Sequence, residues 1–276
     1  MATGFIQGLS KIATGTPAAF AATVTGSMSW DTQTAEHRGT GGQVVRRKGA
    51  SKVTIEFEAT GVAPADMALW FPTTAGEQVG SFPDFLVDDG DQQWILTGGV
   101  PGAGTIGKGA GETDLLTFSG SVEFALATPT SGKTAVYTTL TGYAKADIVA
   151  SLGSEGGINS FEISNGAGTE ARNPMDSKSA GALTFPASVA LTSFDPTAKI
   201  ETDEKLAGAE LYADDYTAAD LVIVCDNGVD TPFSITCSDV VQSVYNGPVQ
   251  ADGIVYYSYD LVFGTGNVFN RVTFAT

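Results

Sequence analysis

The sequence predicts a mainly β protein: two tandem units, each with one short α-helix. Three observations lead there. Apolar and polar residues alternate through several runs, which is the signature of half-buried strands. Gly-rich stretches punctuate those runs. The whole pattern then recurs about 135–139 residues further along the 276-residue chain.

The elements follow in order. The opening MATGFIQGLSKIATGTPAAFAATVTGS has Lys11 as its early cation, and Gly, Thr and Ser interrupt each apolar run. It lacks the basic start and continuous apolar stretch of a signal peptide, and no segment approaches a membrane span of roughly 20 apolar residues. The expectation is a soluble chain made in a cytoplasm. In KVTIEFEA, Val53, Ile55 and Phe57 take one face, and Lys52, Thr54, Glu56 and Glu58 the other. APADMALW (63–70) predicts two helical turns, with Pro64 near the start, where a missing N–H costs little. FLVDDGDQQWILT (85–97) reads as strand, Asp-Gly turn, strand. TGGVPGAGTIGKGAGE (97–112) reads as a flexible Gly-rich hairpin loop. In LLTFSGSVEF, Leu116, Phe118, Val122 and Phe124 share a face. In the second half TDEKLAGAELY (202–212) predicts a second short helix capped by Thr202, with acids in its first turn. IVYYSYDLVF puts Val255, Tyr257, Tyr259, Leu261 and Phe263 on one face.

The repeat is legible in pairs of segments. FLVDDGDQQWILT resembles VIVCDNGVDTPFSIT (222–236), and LLTFSGSVEF (115–124) lies over IVYYSYDLVF (254–263). Trp94 to Phe124 and Phe233 to Phe263 are both 30 residues, so the inward-facing positions keep phase. SMSWDTQTAEHR (27–38) matches NSFEISNGAGTEAR (159–172) more loosely, and the return strand VTIEFEAT matches ASVALT. The boundaries this sets are a first unit over 1–128, a linker over 129–145 and a second unit over 146–276.

Charge and rare residues exclude several function classes. The formal net charge is -17, from 31 acidic and 14 basic residues. Residues 1–143 hold 8 basic and 13 acidic groups, net -5, and residues 144–276 hold 6 and 18, net -12. Phosphate-backbone binding needs clustered cations, so this balance argues against it. One histidine removes His-pair zinc sites, and two cysteines cannot staple a scaffold. A hairpin centred near Gly228–Val229 would pair Cys225 with about position 232, so Cys225 and Cys237 are expected as reduced, buried thiols. GAGTIGKG (102–109) spells most of a phosphate loop, but it lacks Ser or Thr after Lys108 and a following helix. TSGKTA (130–135) lacks the first glycine. DDGD (88–91) lacks the closing glutamate of a calcium loop, and Glu201–Glu204 reads as a helix start. No metal or cofactor is expected, and no catalysis. His37 reads as an exposed loop residue. The basic cluster is Arg38, Arg46, Arg47, Lys48 and Lys52, in the polar segment joining two strands. No aromatics interleave with it as nucleic-acid binding would want. Docking against the acidic surface of an identical neighbour fits better, with the charges steering and registering the contact.

The order of elements carries a family resemblance. TVTGSMSWDT is followed by the long polar loop TAEHRGTGGQVVRRKGAS. The return strand KVTIEFEATG leads into the short helix APADMALWF, and a hairpin with the closing strand DLLTFSGSVEFA ends the unit. This resembles the tail tube proteins of long-tailed bacteriophages over most of 1–126 and, through the repeat, about 146–265. The resemblance implies that the chain is two tandem β-sandwich or half-barrel units of tail-tube type, each with one flanking helix, in rings of six folds joined sheet edge to sheet edge and stacked into a hollow tube that passes DNA. A fused pair implies three chains per ring. It implies a virion protein of the tail, assembled in the bacterial cytoplasm, whose partners are itself and other tail proteins, with no membrane. It also implies inter-ring contact loops at 34–52, with Arg38, Arg46, Arg47, Lys48 and Lys52, and at 169–182, with Glu170, Arg172 and Lys178. The alternatives are another virion component, such as a baseplate hub or head decoration protein, or a tandem β-sandwich adhesin using Trp70, Tyr245 and Tyr256.

Overall fold

The computed structural model describes residues 3–14, 19–36, 44–72, 84–88, 93–130, 141–172, 188–206, 218–251, 254–264, 267 and 269–276. The protein is mainly β. The first half contains β1 (Thr3–Thr14), β2 (Ala19–Glu36), β3 (Val44–Thr60), a short helix α1 (Pro64–Met67) running into a 3-10 turn (Ala68–Trp70), β4 (Phe85–Asp88), β5 (Gln93–Lys108) and β6 (Thr117–Thr130). After a 3-10 turn at Lys145–Asp147 come β7 (Ile148–Leu152), β8 (Ile158–Ser164), β9 (Gly168–Arg172), β10 (Ser188–Ser193) and β11 (Thr197–Thr202). The chain ends with β12 (Ala219–Cys225), β13 (Phe233–Ala251), β14 (Ile254–Phe263) and β15 (Val272–Ala275).

Alternation does what the sequence promises. Val53, Ile55, Phe57 and Ala59 are buried on one face of β3, while Glu56 and Glu58 are exposed on the other. Leu116, Phe118, Val122 and Phe124 are all buried, and so are Tyr259 and Leu261. Thirteen strands pair antiparallel in one sheet, and β9 and β10 form a separate two-stranded one. The first half runs β4-β1-β2-β3-β6-β5, and a further β4–β5 ladder closes it into a six-stranded barrel. The second half runs β8-β11-β14-β13-β12-β7, the order of β2-β3-β6-β5-β4-β1 in the first. No β7–β8 ladder closes it among the described residues. β8 instead pairs with β5, so the sheet passes from one half into the other.

One core runs through both halves. Its densest part is a triangle of rings: Phe57, Trp70 and Phe118 stand 5.0–5.5 Å apart, edge to face, an arrangement favoured by the ring quadrupoles. The turn after α1 delivers Trp70, which is fully buried and donates its indole N–H to the Ser121 carbonyl at 3.0 Å. The indole lies flat on the β5–β6 ladder because Gly104 and Gly120 face each other there. A Cβ on Gly104 would sit 2.8 Å from Trp70 Cδ1, and one on Gly120 2.7 Å from Phe57 Cζ. This corrects the reading of 97–112 as a loop: residues 97–108 are strand, and the turn is confined to 109–116. The glycines make room for aromatics and do not supply flexibility.

Other expectations also change. Thr202 ends β11 and bends, its hydroxyl donating to the Glu204 carbonyl at 2.6 Å, so no helix starts there; residues 207–212 lie outside the described residues. α1 is therefore the one α-helix among the described residues, and the second half shows none. ASVALT overlaps β10, which among the described residues pairs only with β9. The place of β3 is taken by β11, because Gly166, at φ 57°, and Pro196 interrupt the second hairpin and split it in two. The end of the expected linker belongs to the second core: Tyr143 is buried and meets Phe233 edge to face at 5.2 Å. The Asp226–Asp230 turn is as read, with Asn227 Oδ1 accepting the Val229 and Asp230 amides. It sets Cys225 opposite Phe233 and Cys237 opposite Leu221, both thiols free and buried. The 89–92 and 131–135 turns, and His37, lie outside the described residues.

Two predictions follow from this packing. Gly104→Ala should lower stability by about 1–3 kcal/mol through overpacking against Trp70. Gly107→Ala, whose Cβ would meet its nearest atom at 3.5 Å, should be nearly neutral. Urea midpoints of the two variants check the difference. Burial pushes the Cys225 thiol up to about 12 and that of Cys237 higher still. Unfolded thiols ionise near pH 8.5, so the stability these groups confer is complete below that pH and declines as pH rises through about 12. Unfolding midpoints between pH 8 and 11 should fall less in the Cys225→Ala, Cys237→Ala double variant than in the parent.

Candidate functional site

The feature that joins the halves is also the most elaborate polar arrangement among the described residues. Four residues of β5 pair with four of β8: Thr105 with Ser164, Ile106 with Ile163, Gly107 with Glu162 and Lys108 with Phe161. Ile106 and Ile163 are fully buried beneath the join. Where β8 ends, Asn165 carries the pairing further. Its backbone N–H donates to the Gly104 carbonyl at 3.0 Å. Its side-chain amide donates to the carbonyls of Gly102 at 2.9 Å and Trp70 at 3.0 Å. Its side-chain oxygen accepts the Gly104 amide at 2.9 Å and the Ala167 amide at 3.0 Å. A carboxamide has two donors and two acceptor positions, and here all are used with the residue wholly buried. Gly166 follows at φ 57°, and glycine is required there because a Cβ would strike the Asp195 backbone.

Because the pleat keeps phase across this junction, cross-strand rows run unbroken over eight strands. One row is Thr23, Glu58, Ser119, Thr105, Ser164, Thr197, Val262 and Val241. The next carries Thr60, Thr117, Gly107, Glu162, Lys199, Asp260 and Val244. The face is mainly hydroxyl and carboxylate, with Val241, Val244 and Val262 at its β13–β14 end. Glu56, Glu58, Glu162, Glu201 and Asp260 lie on it, and Lys199 is the cation in these rows. Lys199 is opposed by Glu162 and Asp260 on its two neighbouring strands and lies 3.6 Å from Glu201, which accepts Ser160 Oγ–H at 2.8 Å. Pairs this exposed contribute little to stability. Their effect is on what the face repels.

Lys108, the lysine of the GKG triplet, is used locally. It is buried, and its ammonium donates to the Gly109 carbonyl at 2.5 Å and the Gly111 carbonyl at 2.8 Å. Burial lowers its pKa, and the Asp114 carboxylate pulls partly the other way. The turn is followed by β6, so no helix N-terminus faces it. Among the described residues no group of three His, Cys, Asp or Glu is placed to hold a metal.

The predicted contact residues fall on two different hairpins. Arg46, Arg47, Lys48 and Lys52 are not in a loop: they are part of β3 and pair with Thr34, Gln33, Thr32 and Ser29 of β2. The reason is that the β2–β3 ladder continues past the barrel to Glu36 and Val44. Arg38 and Lys178 lie outside the described residues. Glu170 and Arg172 are on β9, opposite Ala190 and Ser188. The β9–β10 hairpin leans back against β3, β5 and β6. Of the aromatics an adhesin would expose, Trp70 is buried and Tyr256 half-buried, and the Tyr245 side chain lies outside what is described. The junction itself was missed from sequence. Its one signal, the dipeptide Asn165-Gly166, reads simply as a turn.

No known protein family matches the chain, and no curated protein matches it. No helix among the described residues is long and apolar enough to cross a membrane. The junction generates its own test. Asn165→Ala would strand two carbonyls and two amides, at a cost of roughly 2–4 kcal/mol. Hydrogen exchange should show protection lost first at the Gly104–Gly107 amides, ahead of the β12–β13 ladder.

Proposed function

We propose that this protein is a structural virion component that self-associates into rings, three chains acting as six folds, stacked into a hollow phage tail tube that passes DNA. The observation that carries the reading is the β5–β8 junction. It joins two sheets of the same strand order edge to edge and leaves a continuous polar face on one side. That is an intrachain version of the join a ring would need between chains. In the ring this face would line the lumen. A trimer would carry 3 × (-17) = -51 formal charges. In a lining mainly of Ser, Thr, Glu and Asp, Lys199 is already opposed by Glu162, Glu201 and Asp260, and like charges keep the duplex from adhering. The protein acts without catalysis. Its partners would be further copies of itself and other tail proteins, in a particle assembled in the host cytoplasm.

The laddered β2–β3 arm, with Arg46, Arg47 and Lys48 near its tip, would carry the contact between rings, docking on acidic surface of the next ring. Negative-stain microscopy with light scattering tests both levels. The parent should form trimeric rings and hollow tubes. R46E/R47E/K48E should form rings that do not stack. Monomers at millimolar concentration that bind a glycan array would instead indicate an adhesin.

A further inference from the structure

The strand order of the two halves matches, but their pairing differs at one edge. In the second half, residues Phe161–Ser164 of β8 present their outer edge to β5. Shared partners locate the equivalent stretch in the first half. Ser119 and Ser258 occupy corresponding places in β6 and β14. Ser119 pairs with Glu58, which pairs with Thr23; Ser258 pairs with Glu201, which pairs with Ser160. Val24–Ser27 of β2 is therefore the counterpart of Phe161–Ser164. Its edge is not open: β1 lies along it, with Gly8 opposite Val24, Gln7 opposite Thr25, Ile6 opposite Gly26 and Gly4 opposite Ser27.

This pairing has no counterpart in the second half. β7 repeats only the later part of β1: Ile148 faces Cys225 as Ile12 faces Val87. The chain before β7 leaves the sheet, with the Tyr143 carbonyl accepting the Leu116 amide at 2.8 Å and Lys145–Asp147 forming a 3-10 turn. The early part of β1 is also the weaker part. Lys11–Ala13 are held by β2 on one side and β4 on the other, whereas among the described residues Thr3–Leu9 have β2 alone, and the register slips between Gly4 and Ile6. At the opposite end of the sheet, β13 has an edge to offer. Among the described residues β12 accompanies it only as far as Val240, and from there to Ala251 it is held by β14 on one side. Asn246 and Val249 face Ser258 and Tyr256 as Thr105 and Gly107 face Ser119 and Thr117, so Asn246–Val249 matches the part of β5 that docks on β8. Pro248 lies within it, as prolines in sheets do at edges.

We propose that residues 3–8 are a displaceable edge strand: they cover β2 in the isolated chain, and Asn246–Val249 of a second copy replaces them when chains associate. The proposal rests on the ring reading and adds the step that controls it. An open strand edge invites indiscriminate pairing, and covering it protects the unassembled chain. The exchange trades one set of backbone hydrogen bonds for another, so it is close to balanced and concentration can drive it. Apparent affinity is reduced by the fraction of chains with the edge uncovered.

Two full-chain variants test this. Gln7 and Thr25 are register partners, and opposed Cβ atoms stand about 4.5–5.5 Å apart, within reach of a disulfide after small adjustment. Oxidised Q7C/T25C should remain monomeric where the parent and the reduced variant form rings, and reductant should restore assembly. Deleting residues 3–8 should lower the concentration needed for assembly by about tenfold or more. If the oxidised variant assembles as readily as the reduced one, β1 is not displaced and the inference falls while the ring reading stands. If the parent, the reduced variant and the deletion all stay monomeric at millimolar concentration, the ring reading falls and takes the inference with it.

Discussion

At the edge where β5 leaves its partner β4, the backbone groups of Gly102 and Gly104 and the carbonyl of Trp70 are directed into the interior and must be satisfied there. The Asn165 carboxamide meets that demand from the other half of the molecule. A buried peptide group without a partner costs as much as a lost hydrogen bond, so this one side chain fixes how far β8 can slide along β5. With the register fixed, Ile106 falls over Ile163 in the core, and Thr105, Gly107, Ser164 and Glu162 fall on the outer face. A slip of one residue would turn every side chain over. The polar face, the shared core and the split second hairpin all depend on that alignment.

The same place explains the use of glycine in β5. Trp70 must lie against the β5–β6 ladder for its carbonyl to reach Asn165, and only facing residues without Cβ atoms leave space for it. The aromatic triangle and the junction are thus one construction. α1 is the short piece of chain that brings the indole from β3 to its place.

What the sequence revealed and what it hid follow from the range of the interactions. Alternation is local, so the buried faces of β3, β6 and β14 could be read directly, as could α1, since Pro64 suits a first turn. The matching strand order showed up as matched spacing between Trp94, Phe124, Phe233 and Phe263. β5 was misread because glycine scores as a turn former, and its purpose here depends on an indole more than 30 residues away in the chain. Arg46–Lys48 read as loop because polar strands that extend beyond a core have no apolar side to betray them. The acids after Thr202 suit a helix start, yet β14 and β8 claim that residue's neighbours for the sheet. Asn165 was invisible for the same reason: nothing nearby in the chain tells a turn asparagine from one whose side chain also reaches Trp70, Gly102 and Gly104.

The laddered form of the β2–β3 arm changes the thermodynamics of anything it touches. A loop of that length would have to be immobilised on docking, at an entropic cost of about 1–2 kcal/mol for each residue ordered. In a paired ribbon that loss is incurred once, when the chain folds. Docking is then closer to joining two rigid bodies, with more of the contact energy retained as affinity. A ribbon also transmits torque where a loop would absorb it. A twist imposed at the tip would be felt at Val53 and Ile55 in the barrel wall, and an angular offset between successive bodies could be set by the pitch of the ribbon itself.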